Sequence, residues 1–306
     1  MSIPPFADQD RPRCAIGAAA RHDPMLGTAF PASQLLLVEQ PGGWGIDGLA
    51  DSQFDPAIAK RLTEELGKRG VRVLAVRRHG RQPATDTRRW AFVDCRSTSR
   101  TLHWSTYRSP TDLLPLLDGD LPAGAGTPLP RPTFLVCAHG THDVCCAVEG
   151  RAVAAVLSRV QPERAWECSH LGGDRFAANV LVIPDGVVYG RVSADSAEDL
   201  IRYTDRGQVW VDHLRGWVGL TPVAQTAKAY VYRELSLLRP DDLQVIDEVI
   251  ADVSGETSWV DVRVRTPGAV VRVRIEVTVA APEILSCRAR RPSRARVCRV
   301  ISLTAH

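Results

Sequence analysis

The fold is decided by two neighbouring stretches, TFLVCAHGTHDVCCAVEGRAVAAVLSRV (133–160) and AWECSHLGGDRFAANVLVIPDGVVYGRV (165–192). The run TFLVC predicts a buried strand that ends in a loop, and an Ala/Val/Leu stripe predicts a helix from Cys146 onward. AWECSH predicts a second strand. The last run predicts a hairpin whose turn carries Pro184, Asp185 and Gly186, and a helix with Ser193 or Ser196 as N-cap follows it. This half of the chain therefore reads β-α-β-β-β-α.

That order, with its first loop running into a helix N-terminus, is typical of the thioredoxin fold. A second small α/β half is predicted before it, from strand-like runs at 33–39, 71–78 and 88–95 and helical spacing at 55–69. A helix over 221–237 and a tail of alternating polar and apolar residues are predicted after it. The fold class is thus α/β (α+β): two small α/β halves and a β-rich C-terminal extension.

Three domains are predicted. The Ala-, Gly- and Pro-rich run LPAGAGTPLPRP (121–132) is the clearest linker in the chain. It separates an N-terminal α/β domain, residues 1–122, from a thioredoxin-like domain, residues 130–238. The β-rich extension takes residues 239–306.

Composition excludes several classes of protein. With 38 basic and 35 acidic residues, the net charge of +3 provides no global field for binding nucleic acid or anionic membranes. The N-terminal residues lack the pattern of a secretory signal, and no run is long enough for a membrane helix, so we expect a cytoplasmic protein. The densely basic run 287–299 is interpreted as a solvated hairpin.

The chain holds 8 Cys and 8 His, and many of them lie between residues 137 and 174. In the cytoplasm thiols stay reduced, so clustered cysteines favour metal binding or catalysis over disulfides. Thiolates beside imidazoles are typical of zinc and iron–sulfur sites. The candidate groups are Cys137, His139, His142, Asp143, Cys145, Cys146, Cys168, His170 and Asp174.

Two of these cysteines are expected to face each other. Cys146 lies at a predicted helix N-terminus, where free N–H groups favour a thiolate, and Cys137 ends the preceding strand. Gly172 and Gly173 predict a tight loop that brings His170 and Asp174 to one spot.

The remaining candidates receive smaller roles. His139 and His142 are interpreted as exposed or supporting groups, and Asp143 as the cap of the Cys146 helix. The dispersed cysteines are expected to be free thiols, with Cys287 and Cys298 facing each other across a hairpin as an alternative. These dispersed residues are Cys14, Cys95, Cys287 and Cys298.

The cluster, together with GTAFPASQLLLVEQPGGWG (27–45) and DRFAANVLVIPDGVVYGRV (174–192), resembles the sucrase/ferredoxin-like family over nearly the whole chain, weakening after about residue 240. The core of that family resembles thioredoxin-like [2Fe–2S] ferredoxins. The resemblance implies a [2Fe–2S] cluster held by Cys137, Cys146, His170 and Asp174.

The comparison can be made residue by residue. The ferredoxins have a ligand Cys followed after three residues by Gly, and Cys146 with Gly150 fits this pattern while Cys145 is out of register. Their last two ligands form a Cys-x3-Cys pair upstream of a P-[DE]-G turn. In this chain His170 and Asp174 stand at the place of that pair, and Asp174 lies ten positions before Pro184.

The main departure from the family pattern is at Asp174. Eukaryotic relatives have an HxGGH motif that supplies two histidines, whereas this chain reads HLGGD. A carboxylate is a harder ligand than imidazole and suits iron–sulfur chemistry less well. Three alternatives follow: Asp174 is a ligand, Cys145 or Cys168 substitutes for it, or the site holds no cluster.

The function implied by the resemblance is electron transfer: a [2Fe–2S] protein that exchanges one electron with a redox partner protein. The alternatives are a metal-free thiol oxidoreductase and a structural zinc-binding module. The chain contains no CxxC, which disfavours a standard thioredoxin mechanism. Glycoside hydrolysis needs a positioned carboxylate pair, and no motif singles one out.

Overall fold

The computed structural model describes residues 11–83, 85–96, 100–119, 127–128, 131–237 and 239–305. The predicted linker (121–132) lies largely outside these residues. The first ten residues, from which we predict that no secretory signal is present, also lie outside them. The domain boundaries stay predictions. None of the helices in the described ranges is long and apolar enough to cross a membrane.

The described residues form a mixed ten-stranded sheet flanked by helices, followed by a smaller antiparallel sheet. The helices are α1 (Cys14–Ala20), α2 (Pro56–Lys68), α3 (Val144–Val160), α4 (Ala197–Asp205) and α5 (Pro222–Glu234). The strands of the large sheet are β1 (Gln34–Glu39), β2 (Val71–Arg77), β3 (Arg88–Asp94), β4 (Thr101–Tyr107), β5 (Thr127–Pro128), β6 (Thr133–Cys137), β7 (Ala165–Cys168), β8 (Val180–Ile183), β9 (Val187–Tyr189) and β10 (Leu214–Trp217). The strands of the small sheet are β11 (Gln244–Ser254), β12 (Thr257–Arg265), β13 (Val270–Glu283) and β14 (Ser293–Ala305).

The large sheet consists of two halves with the same strand order. In the first half the order is β2-β1-β3-β4, and in the second it is β7-β6-β8-β9. In each half, the two strands that come first in the chain are parallel and are connected by a helix. The other two strands are antiparallel to their neighbours. The second half has the predicted order β-α-β-β-β-α, whereas the first half adds β4 to its three predicted strands.

The two halves join through β2 and β7. These strands are antiparallel and overlap only near their carboxyl ends, where Val76 pairs with Cys168 and Arg77 with Glu167. The Arg77 guanidinium also lies 2.7 Å from the buried Glu167 carboxylate. Because β1 ends beside β2 and β6 ends beside β7, the loops that follow β1 and β6 meet at this junction.

The apolar pattern of the strands explains the packing. In β1, Leu36 and Val38 face α2 and pack with Leu62 and Leu66, while alternate residues face the opposite side of the sheet. In the second half, β6 and β8 are fully buried, as expected for central strands with covered faces.

The small sheet is the predicted β-rich extension. Its strands follow each other as an antiparallel meander, β11-β12-β13-β14. Inward residues such as Val262, Val264 and Ile275 pack against Ala227 and Val231 of α5. Helix α5 also contacts β10, so it lies between the two sheets.

Candidate metal centre

All four side chains that the sequence predicts as ligands meet at the carboxyl end of β6. Cys137 is the last residue of β6, and Cys146 lies in the first turn of α3. The Sγ atom of Cys146 lies 3.4 Å from Oδ1 of Asp174, and Nδ1 of His170 lies 3.0 Å from the same oxygen. The Cys137 thiol lies near enough to both Cys146 and His170 for these two groups to lower its pKa. Two sulfurs, an imidazole and a carboxylate therefore share one buried site.

The start of α3 places Cys146. The helix begins at Val144, two residues before the predicted start, because Asp143 caps it by accepting a hydrogen bond from the Cys145 amide at 2.8 Å. The predicted capping role of Asp143 is thus confirmed. One turn further, a Cβ atom at Gly150 would overlap the backbone carbonyl of Cys137. Glycine at that position lets α3 lie directly against the end of β6.

The His170–Asp174 loop depends on its two glycines. Gly172 and Gly173 have φ angles of +82° and +71°, a left-handed region that other residues rarely adopt. The fully buried Arg215 holds this loop in place, because its guanidinium donates to the Gly172 carbonyl and to the Asn179 side chain, each at 2.8 Å. The sequence analysis did not identify Arg215, since no local pattern marks an arginine of β10 as part of this loop.

The N-terminal half contributes to the same site. Arg72 of β2 donates to the His170 carbonyl at 2.6 Å, and the loop after β1 offers its Gly45 carbonyl to His139 at 2.5 Å. His139 is 2% exposed, and its Nδ1 accepts the His170 amide at 3.2 Å, so its Nε2 carries the proton that goes to Gly45. His139 is a buried supporting group rather than an exposed one.

The Gly45 loop also fits the spacing of a nucleotide-binding motif. Gly43, Gly45 and Gly48 follow β1 in the order G-x-G-x-x-G. In dinucleotide-binding folds such glycines open a helix, whose N-terminus binds phosphate. Here α2 begins only at Pro56, and the loop covers His139 instead. The structure therefore gives these glycines no phosphate-binding geometry.

His142 forms the outer part of the site. Its ring stacks on the His170 ring with centroids 3.7 Å apart, and its Nε2 lies 3.8 Å from Oδ2 of Asp174. The ligand atoms of His142, His170 and Asp174 lie within 4.8 Å of one another and could hold a metal ion. From its sequence position, His142 is predicted only to be an exposed or supporting group.

The electrostatics of the site favour ligand ionisation at Cys137. Hydrogen bonding to Cys146, and then to His170, lowers the pKa of the Cys137 thiol even though burial opposes this. The pKa of Cys146 is raised, because Cys137 is its immediate neighbour and because it is buried. Burial alone would lower the pKa of His170, but Asp174 and Cys137 raise it to about 9. A metal cation at this position would take the place of these shared protons.

A further observation supports metal binding here. His170 Nδ1 is buried and lies 3.0 Å from Oδ1 of Asp174, so the imidazole and the carboxylate form a pair. Once the proton between them is lost, this nitrogen and the carboxylate oxygen both offer lone pairs to a metal ion. Two thiols, an imidazole and a carboxylate are donor types that occur in metal centres.

The two predicted substitute ligands, Cys168 and Cys145, differ in their positions relative to this site. Cys168 is the last residue of β7, beside Cys137 in the parallel ladder, and burial raises the pKa of its thiol. Cys145 points away from Cys146 and contacts Cys14 and Cys287. Cys287 therefore does not pair with Cys298, which lies opposite Val277 in the small sheet.

These contacts create a second group of potential metal ligands. Cys14, Asp143, Cys145 and Cys287 have ligand atoms that all lie within 4.8 Å of one another. The sequence analysis treated Cys14 and Cys287 as unrelated free thiols. Since these two residues are 273 positions apart, no spacing pattern could have connected them.

Comparison with known proteins agrees with the sequence resemblance. The sequence model of the sucrase/ferredoxin-like family matches residues 25–216, more than half of the chain. Altered inheritance of mitochondria protein 32 from Meyerozyma guilliermondii is 30% identical over 95 residues, which cover 28% of this chain and 34% of that protein. The match thus spans about a third of that relative's length. No solved structure shows a significant match.

Proposed function

This chain belongs to the sucrase/ferredoxin-like family, and on that premise we propose that it is an electron-transfer protein with a [2Fe–2S] cluster. The observation that carries the proposal is the convergence of Cys137, Cys146, His170 and Asp174 on one buried site. When bound, such a cluster accepts and releases one electron at a time. In this proposal the four side chains are its ligands.

The surrounding residues suit an anionic cofactor. The Leu171 amide donates to the Cys137 sulfur, a contact that stabilises a thiolate and supports its role as a ligand. Arg215 and Arg72 lie near the thiols, and Arg215 keeps its positive charge in the neutral range although burial lowers its pKa to about 10. Their charge offsets that of the thiolates and of Asp174, which favours addition of an electron.

The exposed part of the site defines where a redox partner protein would bind. The side chains of His142 and His170 are 31% and 25% exposed, whereas the two cysteines are fully covered. Ile46, whose backbone contacts His142, is 47% exposed beside them. We expect the partner, in the cytoplasm, to dock on this surface. There the histidines give the electron a short path from the cluster to the surface.

Anaerobic purification followed by metal analysis tests the proposal. We expect iron and acid-labile sulfide in equal amounts, a visible absorption that bleaches with dithionite, and an electron paramagnetic resonance signal in the reduced protein. Cys146→Ser should abolish all three. The matched control Cys298→Ser should keep them, because Cys298 lies on the small sheet, away from the site.

Two outcomes would select the alternative functions. Colourless, metal-free wild-type protein with reactive thiols would contradict the proposal and favour a thiol oxidoreductase. Protein with zinc but no iron, whose zinc is lost in Cys146→Ser, would instead make this site a zinc-binding one.

A further inference from the structure

We propose that Cys14, Asp143, Cys145 and Cys287 form a second metal site, which binds Zn²⁺ and fastens the C-terminal extension to the half of the chain that contains β6–β9. Cys14 begins α1, Asp143 and Cys145 lie at the start of α3, and Cys287 lies in the connection between β13 and β14. The site does not share a ligand with the proposed cluster site, and it does not depend on whether iron binds there.

Three of the separations between the ligand atoms are close to those of a tetrahedral zinc site, and all of them are within 4.8 Å. Zinc about 2.3 Å from sulfur and about 2.1 Å from oxygen places two sulfurs about 3.8 Å apart, and a sulfur and an oxygen about 3.6 Å apart. The Cys145 sulfur lies 3.6 Å from that of Cys14 and 3.5 Å from that of Cys287. The Cys14 sulfur lies 3.6 Å from Oδ2 of Asp143. These separations require little movement to admit the ion.

Backbone amides orient the ligands. Asp143 accepts the Cys287 amide on Oδ2 at 2.6 Å and the Cys145 amide on Oδ1 at 2.8 Å. The Cys14 amide donates to the Cys287 sulfur at 3.3 Å, and the Ala15 amide donates to the Cys145 sulfur. Such N–H···S contacts are the outer-shell bonds that fix thiolate ligands in metal sites.

Burial and chemistry point to zinc. Cys14, Asp143 and Cys145 are buried, and Cys287 is half-buried, so the group is shielded from water on most sides. Three soft thiolates with one carboxylate in a tetrahedral arrangement suit Zn²⁺ better than the hard cations Mg²⁺ or Ca²⁺. A disulfide would use two of the three thiols and leave the third beside a buried carboxylate.

The basic segment after Cys287 complements the charge of the site. Zinc bound by three thiolates and a carboxylate carries a net negative charge. Arg288 donates to the Thr141 carbonyl in the loop before α3, and Arg11 donates to the Cys287 carbonyl at 2.9 Å. These arginines hold the segment against the site and place positive charge around it, which gives part of the basic run 287–299 a specific role.

Metal content of matched variants tests the proposal. We expect one zinc per chain in wild-type protein, in addition to any iron. Cys14→Ser and Cys287→Ser should lose that zinc and keep the visible spectrum, whereas Cys146→Ser should lose the spectrum and keep the zinc. Cys298→Ser is the control and should retain both. Zinc content that is unchanged in Cys14→Ser and Cys287→Ser would overturn the proposal.

A second measurement uses the wild-type protein, so that it does not depend on whether a variant folds. Cysteine alkylation with peptide mapping is compared before and after removal of zinc with a chelator. We expect Cys14, Cys145 and Cys287 to be protected together before chelation and labelled together after it. Added Co²⁺ should then produce sulfur-to-metal charge-transfer absorption and restore protection. Labelling of these thiols without chelation, or a disulfide between any two of them, would overturn the proposal.

Discussion

Asp174 stands where the family resemblance implies the second histidine of an HxGGH motif. The carboxylate is buried, 6% exposed, and burial alone would raise its pKa. Contacts with His170, His142 and Cys146 outweigh burial, so the net effect lowers the pKa of Asp174 and keeps it ionised. An anionic oxygen is thus available at this position of the site.

Replacement of Asp174 tests whether it is a ligand. We expect Asp174→Ala to lose most of the bound iron, and Asp174→His to keep it. Because a neutral imidazole replaces an anionic carboxylate, the reduction potential of Asp174→His should be higher than that of the wild type. Iron analysis measures the bound iron, and a redox titration monitored by electron paramagnetic resonance measures the reduction potential. Full iron content and an unchanged signal in Asp174→Ala would show that Asp174 is not a ligand.

The two glycines of the loop form a natural pair for comparison. Both have positive φ angles, so alanine costs about 1–2 kcal/mol at either position. At Gly173, a Cβ atom would also overlap the Arg215 guanidinium, whereas nothing lies within 4 Å of a Cβ atom at Gly172. We therefore expect Gly173→Ala to lose more iron and more thermal stability than Gly172→Ala. Equal losses in iron analysis and thermal unfolding would argue against the role of Arg215.

At the scale of the elements, α3 links the sequence motif to the site. The Cys146-x3-Gly150 pattern has a physical reason, since Gly150 lies against the Cys137 carbonyl and sets the distance between the two cysteines. Asp143 acts in two ways at the same helix end, as the N-cap of α3 and as an acceptor for the Cys287 amide.

Alanine substitution in two helices separates helix propensity from packing. Gly67 of α2 is exposed with nothing within 4 Å of a Cβ atom, so Gly67→Ala should stabilise the protein by up to about 1 kcal/mol. Gly150→Ala should instead destabilise it by roughly 1–3 kcal/mol, because overpacking pushes α3 away from β6. Denaturant unfolding measures both changes, and iron content should fall only in Gly150→Ala. A stabilised Gly150→Ala variant would contradict the close approach.

Much of this arrangement could be predicted from sequence because it is local. The β-α-β-β-β-α order follows from apolar runs and turn residues, and the loop of His170 and Asp174 follows from its glycines. Contacts between distant segments could not be predicted in this way. Arg215 reaches its loop through the register of β10, and Cys287 reaches Cys145 only because the small sheet packs beside α5.

At the scale of the whole molecule, α5 lies between the two sheets and carries a buried lysine, Lys228. Lys228 is 7% exposed, and its Nζ lies 4.5 Å from the centre of the Trp217 ring. Burial, and then the nearby charge of Arg100, lower its pKa from 10.5 to about 8, while Asp241 opposes this. Keeping this side chain charged in the folded protein therefore costs stability.

The cost should appear as a pH dependence that Lys228→Met removes. Between pH 8 and 10.5 the unfolded chain binds a proton at Lys228 that the folded protein does not, so wild-type stability rises with pH in that window. Below it, we expect Lys228→Met to be more stable by up to about 3 kcal/mol. The gap should close towards pH 10.5, as measured by urea unfolding of both proteins across the range. A gap that is constant with pH would contradict the assignment.

The pairing of β2 with β7 also affects the solubility of the protein. A strand with unpaired backbone groups is a template on which another chain can add, which leads to aggregation. β7 is shielded from this by β2, through the pairs Val76–Cys168 and Arg77–Glu167. The N-terminal half thus covers part of the edge of β7. We therefore expect residues 131–237 alone to expose the edge of β7 and to self-associate there, next to Cys168.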